Sequence, residues 1–168
     1  MKIRMEDTED HDAVREVNLG AFPGEDEALL VEKLRESEDV ISLVALKDDK
    51  MVGHILFSPA TIEKGDDSFP TLALAPLAVL PEFQRRGIGS QLVEKGLEEC
   101  RNQGYSIVTV LGHPDYYPRF GFKLAAECGI QSPFEVPIDA FMVLELVSGA
   151  LDNVNGVLKY SKAFDEIQ

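Results

Sequence analysis

The chain is short of cysteine, of positive charge and of long apolar runs. Cys100 and Cys128 are its only cysteines in 168 residues. They form neither a metal-ligand spacing nor a disulfide framework, so no metal is expected and a reducing, cytoplasmic compartment is. No apolar run approaches the roughly 18–20 residues that span a bilayer. The N-terminus, MKIRMEDTEDHD, turns acidic at once and lacks the apolar core of a secretion signal. Only 16 Lys and Arg stand against 30 Asp and Glu, a formal net charge of −14. That field repels phosphate backbones and anionic lipid, which argues against nucleic acid and membrane as partners. The plain reading of that charge is a solvated acidic surface; a preference for a cationic substrate is the sharper, weaker reading.

What is present is an ordinary globular composition, 45% apolar and 27% charged. The expectation is one domain over residues 1–168 with a sizeable core. The pattern predicts an edge strand at 2–4, then a helix at 9–21 with Thr8 as N-cap. A second helix follows at 26–35, and strands at 40–46 and 51–57 make an antiparallel hairpin. Ser58-Pro59 is expected to perturb that strand's end, although Thr61-Ile62 can continue it, with 63–68 as a loop. A strand at 72–80, a helix at 87–102 stopped by Gly104 and a buried strand at 107–111 form a parallel β-helix-β crossover. A short helix or turn at 114–119, strands after 122, at 141–147 and at 158–164, and an irregular excursion at 126–139 complete the chain. This is an α/β chain: a mixed, mostly antiparallel sheet with helices on both faces. Exposed edges on the last strands would let two copies pair as a homodimer.

Residues 72–89, LALAPLAVLPEFQRRGIG, organise the rest. A strand feeds a basic, glycine-containing turn at a helix start, where unpaired amides and the helix dipole favour an anion. Arg85 and Arg86 can reach phosphate oxygens bidentately. Gly87 and Gly89 let backbone approach a ligand, although glycine at a helix start also serves turn geometry alone. Position 92 is leucine, so the three-glycine dinucleotide fingerprint fails, and no Gly-Lys-Ser/Thr completes a P-loop. Pro76 inside a strand marks either a bulge or a simple kink. A bulge would splay residues 77–79 from a neighbour and free their backbone for an extended ligand.

Gln84-x-x-Gly87-x-Gly89 after a strand resembles the acyl-CoA-binding motif of the GNAT family of N-acetyltransferases. Tyr117-Pro118-Arg119-Phe120-Gly121-Phe122 resembles that family's Tyr-x-x-x-Gly-Phe signature, and the order of elements is similar throughout. LAPLAVLPEFQRRGIGSQLV and VLGHPDYYPRFGF are similar to its YhbS-like subgroup. The resemblance implies acetyl-CoA as co-substrate, with pantetheine on the backbone of Leu77, Ala78 and Val79. It implies pyrophosphate over Gln84, Arg85, Arg86, Gly87, Ile88, Gly89 and Ser90, and Tyr117 as the acid that protonates the departing thiolate. The family's usual asparagine before the tyrosine turn is missing, because 110–114 reads VLGHP.

The expected reaction is direct attack of an amine on the thioester, the acceptor being a small-molecule or protein amine. A general base is not legible: 72–80 carries no carboxylate or imidazole. His113, after a parallel strand, and Tyr116, beside Tyr117, are candidates to face the acceptor. His54 reads as a buried sheet histidine sharing a face with Val52, Leu56 and Ser58. A non-catalytic acyl-CoA-binding or regulatory module is the alternative; it would need 84–89 but not Tyr117.

Overall fold

Two long strands form the spine of the protein, seen here in a computed structural model that describes residues 1–165. The elements are β1 (Lys2–Met5), α1 (His11–Ala21), α2 (Asp26–Ser37), β2 (Ile41–Lys47), β3 (Lys50–Lys64), β4 (Asp67–Val79), α3 (Ile88–Asn102), β5 (Ile107–Leu111), β6 (Lys123–Leu124), β7 (Ile130–Gln131), β8 (Phe141–Glu145) and β9 (Gly156–Lys159). They make a mixed sheet of order β1-β2-β3-β4-β5-β8-β6, with β9 pairing β3 and β7. β4 and β5 are parallel across the α3 crossover, and β7 runs parallel to β9 over two residue pairs.

Several boundaries differ from expectation for local reasons. The 63–68 stretch is not a loop: Lys64 pairs with Asp67 around a tight turn in which Gly65 takes φ +59°. β3 does run on through Ser58-Pro59 to Thr61-Ile62, because Pro59 falls between the segments covered by β2 (to Phe57) and β9 (from Thr61). A missing N–H costs little at such a gap. Thr8 is not a cap but the first residue of a 3-10 turn, Thr8–Asp10, that leads into α1 and is itself capped by Asp7. Asp7 Oδ1 accepts from Glu9 N–H at 3.0 Å, while Asp10 Oδ2 accepts from Asp7 N–H at 2.9 Å. The last strand stops at Lys159, and Lys162–Phe164 is a 3-10 turn whose first residue follows Ser161, the acceptor for Ala163 N–H. β9 lies between β3 and β7, so among the described residues β6 and β7, not β9, end the sheet on that side.

α3 lays Ile88, Leu92, Val93, Leu97 and Cys100 on one sheet face, against Ile55, Phe57, Leu72 and Val108. α1 and α2 cover the other face, with Val14, Val17, Leu30, Val31 and Leu34 against Val44 and Leu56. Each such buried Val, Leu or Phe contributes about 1.5–3 kcal/mol. A bulge at Val52 turns both Val52 and Gly53 toward α3. His54 therefore shares its face with Leu56, not with Val52 as strict alternation predicts. α3 sits close on the sheet: a Cβ on Gly96 would lie 2.5 Å from Phe57 Cε2.

Candidate active site

The site begins where β4 leaves β5. Their pairing runs from Leu72–Val108 to Leu74–Val110 and stops. Two side chains pin it just before that point: Thr71 Oγ1 donates to the Ile107 carbonyl at 3.0 Å, and Thr109 Oγ1 to that of Leu72 at 3.2 Å. Ala75 and Pro76 then both stand opposite Leu56, so Pro76 is at a bulge. Beyond it β4 keeps β3 as partner and has no strand on its other side. Leu80 N–H donates to the Val52 carbonyl at 2.9 Å. Gln84 Nε2 donates to the Val79 carbonyl at 2.9 Å. Alternation along the ladder then turns the backbone of Ala78 toward β3 and that of Leu77 and Val79 toward the open edge. Of the three residues expected to offer backbone, Ala78 is committed to the sheet and is 1% exposed.

The open edge runs into the start of α3. A 3-10 turn at Pro81–Phe83 carries the chain round, Arg85 adopts φ +64° and Gly87, the N-cap of α3, φ +82°. No side chain caps this helix and its first turn holds no acid. Its first amides are therefore unpaired by the chain itself, at the positive end of a 15-residue helix. They front a cleft of about 330 Å³ lined by Val79, Phe83, Gln84, Arg85, Gly87, Ile88, Gly89, Ser90, Tyr116 and Arg119.

The two tyrosines do different things. Tyr116 reaches the cleft: its hydroxyl lies 3.0 Å from Ser90 Oγ, and Arg119 stacks on its ring at 4.6 Å. A Cβ on Gly89 would meet that hydroxyl at 3.4 Å, with Val79 and Leu77 side chains just beyond. Tyr117 turns inward, edge-on to Tyr116 at 5.1 Å and to Phe122 at 5.7 Å. It is 8% exposed, and burial pushes its phenol up to about 12. Gly112 makes room for it, since a Cβ there would lie 2.5 Å from Tyr117 Cε2.

His54 belongs to the fold. It is fully buried, with Nδ1 3.1 Å from the Asn18 amide and Nε2 2.8 Å from Ser42 Oγ. Ser42 donates on to Glu6, whose other oxygen meets Arg35 at 2.5 Å. Burial, then the Arg35 charge, push the imidazole down to about 3, so it stays neutral. His113 follows β5, and its carbonyl accepts from the N–H groups of Tyr116 and Tyr117.

Residues 11–122 match the family model described as "Acetyltransferase (GNAT) family". The chain is 35% identical over 167 residues to the uncharacterized N-acetyltransferase YhbS of Escherichia coli, covering 98% of this chain and 99% of YhbS. It belongs to the GNAT family of acetyltransferases. It is also 44% identical over 135 residues to uncharacterized N-acetyltransferase YjhQ of E. coli, 78% of this chain and 75% of YjhQ. Among solved structures, YhbS in complex with CoA superposes with a TM-score of 0.92 at 33% identity, over 98% of this chain and 91% of that one. A GNAT acetyltransferase from Brucella melitensis in complex with acetyl-CoA gives 0.79 at 34%, over 98% and 97%.

In this GNAT chain the cleft unites Val79, Gln84, Arg85, Gly87, Ile88, Gly89, Ser90 and Tyr116 from the residues singled out in the sequence, with Leu77 beside Gly89. Arg86 instead lies over the Phe83 ring at 5.4 Å, and Tyr117 packs behind Tyr116. Phe83 and Arg119 are additions. Arg119 follows Tyr116 by three residues in a tight turn, a spacing that foretells the stacking; nothing in the sequence marks Phe83. A larger hollow of about 700 Å³ between α2, β3 and β9 mixes Lys33, Lys159 and Lys162 with Glu36, Glu38 and Glu63. It contains neither a parted strand nor a helix start, so the smaller cleft is the better place for an extended anion.

Proposed function

We propose that this GNAT protein transfers the acetyl group of acetyl-CoA to an amine at the parting of β4 and β5. The observation that carries the reading is the junction of an open strand edge with an uncapped helix start in one cleft. Leu77 and Val79 backbone would hold the pantetheine amides, and Gln84 would keep the end of β4 in place through Val79. The amides of residues 85–90 and the Arg85 side chain would hold the pyrophosphate. Tyr116, tied to Ser90, forms the opposite wall.

Acetyl-CoA supplies an acyl thioester; a neutral amine attacks it, the C–N bond forms as the C–S bond breaks, the nitrogen gives up a proton to water and the departing thiolate takes one. Positioning both reactants supplies much of the acceleration. A backbone amide at the bulge would polarise the acyl oxygen, and of Leu77 and Ala78 the open edge favours the N–H of Leu77. Tyr117 is the proton donor: it is a phenol, protonated at neutral pH, and no hydrogen bond from its hydroxyl to the described residues competes for the proton. His113, at the end of β5, faces the acceptor. The acceptor is an amine on a small molecule or a protein end, a choice supported by the acidic balance of the chain. One sheet carries every strand among the described residues, which supports a single domain over 1–168; 166–168 lie outside the described residues. Free Cys100 and Cys128 suit a reducing cytoplasm. Isothermal titration with CoA tests the site: Gly89→Asp, which sets a carboxylate at the anion position, should abolish heat seen with the wild type.

A further inference from the structure

Four cations collect at the outer rim of the cleft in a chain of net charge −14. Lys47 and Lys50 close the β2–β3 turn and stand directly opposite one another across the strand pair. Like charges so placed are destabilising. Both lysines lean on the same ring: Lys50 Nζ lies 5.5 Å and Lys47 Nζ 6.0 Å from the centre of Phe83. The Arg86 guanidinium lies 5.4 Å from that centre. Phe83 itself lines the cleft, next to Arg85. Of the other arginines, three meet acid, in Arg4–Asp10, Arg15–Glu32 and Arg35–Glu6, while Arg101 and Arg119 donate to backbone carbonyls. Among the described residues, Lys47, Lys50, Arg85 and Arg86 form no ion pair, although acids outnumber bases in the chain. Packing alone does not explain three cations on one aromatic ring, because the ring attracts each of them by only about 0.5–1 kcal/mol at an exposed site.

We infer that Lys47, Lys50 and Arg86, gathered by Phe83, form a second anion subsite that binds a phosphate monoester lying beyond the pyrophosphate. This rests on the acetyl-CoA reading of the cleft. CoA carries such a group, the 3′-phosphate of its ribose, and dephospho-CoA differs from CoA in that group alone. The helix start serves the pyrophosphate common to both molecules. The β2–β3 turn then discriminates between them, and does so from outside the segment that carries the glycine motif.

The test is isothermal titration of the full chain with CoA and with dephospho-CoA. Charge-assisted contacts to a phosphate predict a preference for CoA of roughly tenfold to a hundredfold at low salt. That preference should shrink as salt is raised, because the rim is exposed. In Lys47→Gln/Lys50→Gln it should fall below about threefold through weaker binding of CoA. Lys64→Gln, at the far end of β3, should keep the preference. Adenosine 3′,5′-bisphosphate should compete with CoA better than adenosine 5′-phosphate in the wild type and no better in the double variant. Equal binding of CoA and dephospho-CoA by the wild type, or a preference that survives the double substitution, overturns the subsite and leaves the acetyl-CoA cleft standing. Binding of neither molecule overturns both.

Discussion

Adjacent tyrosines with one spacing between them carry different loads. Tyr116 faces the cleft and is tied to the start of α3 through Ser90, whereas Tyr117 is enclosed by Gly112, Tyr116 and Phe122. Tyr116→Phe should therefore weaken acetyl-CoA binding several-fold, read as KM, while Tyr117→Phe should lower kcat by about a hundredfold. With its phenol held near 12, Tyr117 should impose no alkaline fall in kcat below about pH 11. Gly112→Ala tests the enclosure: a methyl 2.5 Å from the Tyr117 ring must push it aside. It should cost about 1–3 kcal/mol in denaturant unfolding, with a drop in kcat that a purely structural ring would not show.

At the scale of elements, α3 is the part whose placement matters most, because its first turn is the proposed anion site. Its depth on the sheet depends on Gly96 and Gly53, whose missing side chains admit Phe57 and Leu92. Gly96→Ala should shift α3 away from Phe57. The expected result is about 1–3 kcal/mol of lost stability together with weaker CoA binding, measured by chemical unfolding and titration on the same sample. The β4-α3-β5 crossover was legible because periodicity switches sharply between apolar strand and amphipathic helix there. Pro76 flagged the bulge for a related reason, since a proline cannot serve a regular ladder. The parity of the open edge was not legible: which of Leu77, Ala78 and Val79 turns its backbone outward depends on the β3 register. The Val52 bulge, which set His54 on another face from Val52, was not legible because Met51-Val52-Gly53-His54-Ile55 reads as a regular strand on either parity. The 63–68 turn read as a loop because its charged residues conceal strand pairing between partners that are both exposed.

Across the whole molecule, the relay from Asn18 through His54, Ser42 and Glu6 to Arg35 ties α1, β3, β2, the β1–α1 connection and α2 together. Its histidine links folding to pH. In the folded chain His54 takes a proton only near 3; in the unfolded chain it does so near 6.5. Between those values the unfolded chain binds the extra proton, so falling pH favours unfolding. The stabilisation is complete above about 6.5 and declines by about 1.4 kcal/mol per pH unit below it. Asp10, held below the usual carboxylate range by its hydrogen bond to Arg4, adds a loss of the same sign at lower pH. Urea midpoints should thus fall from about pH 7 to about pH 4.5 in the wild type, and more shallowly in His54→Gln. The central claim concerns chemistry, and the most direct measurement is CoA thiol release from acetyl-CoA against a panel of small-molecule and peptide amines, with acetyl-CoA binding measured on the same wild-type and Tyr117→Phe samples. Amine-dependent release by the wild type, with Tyr117→Phe binding acetyl-CoA normally but turning over about a hundredfold more slowly, is the predicted result. Firm acetyl-CoA binding with no release on any amine would contradict it and mark the protein as a non-catalytic acyl-CoA-binding module.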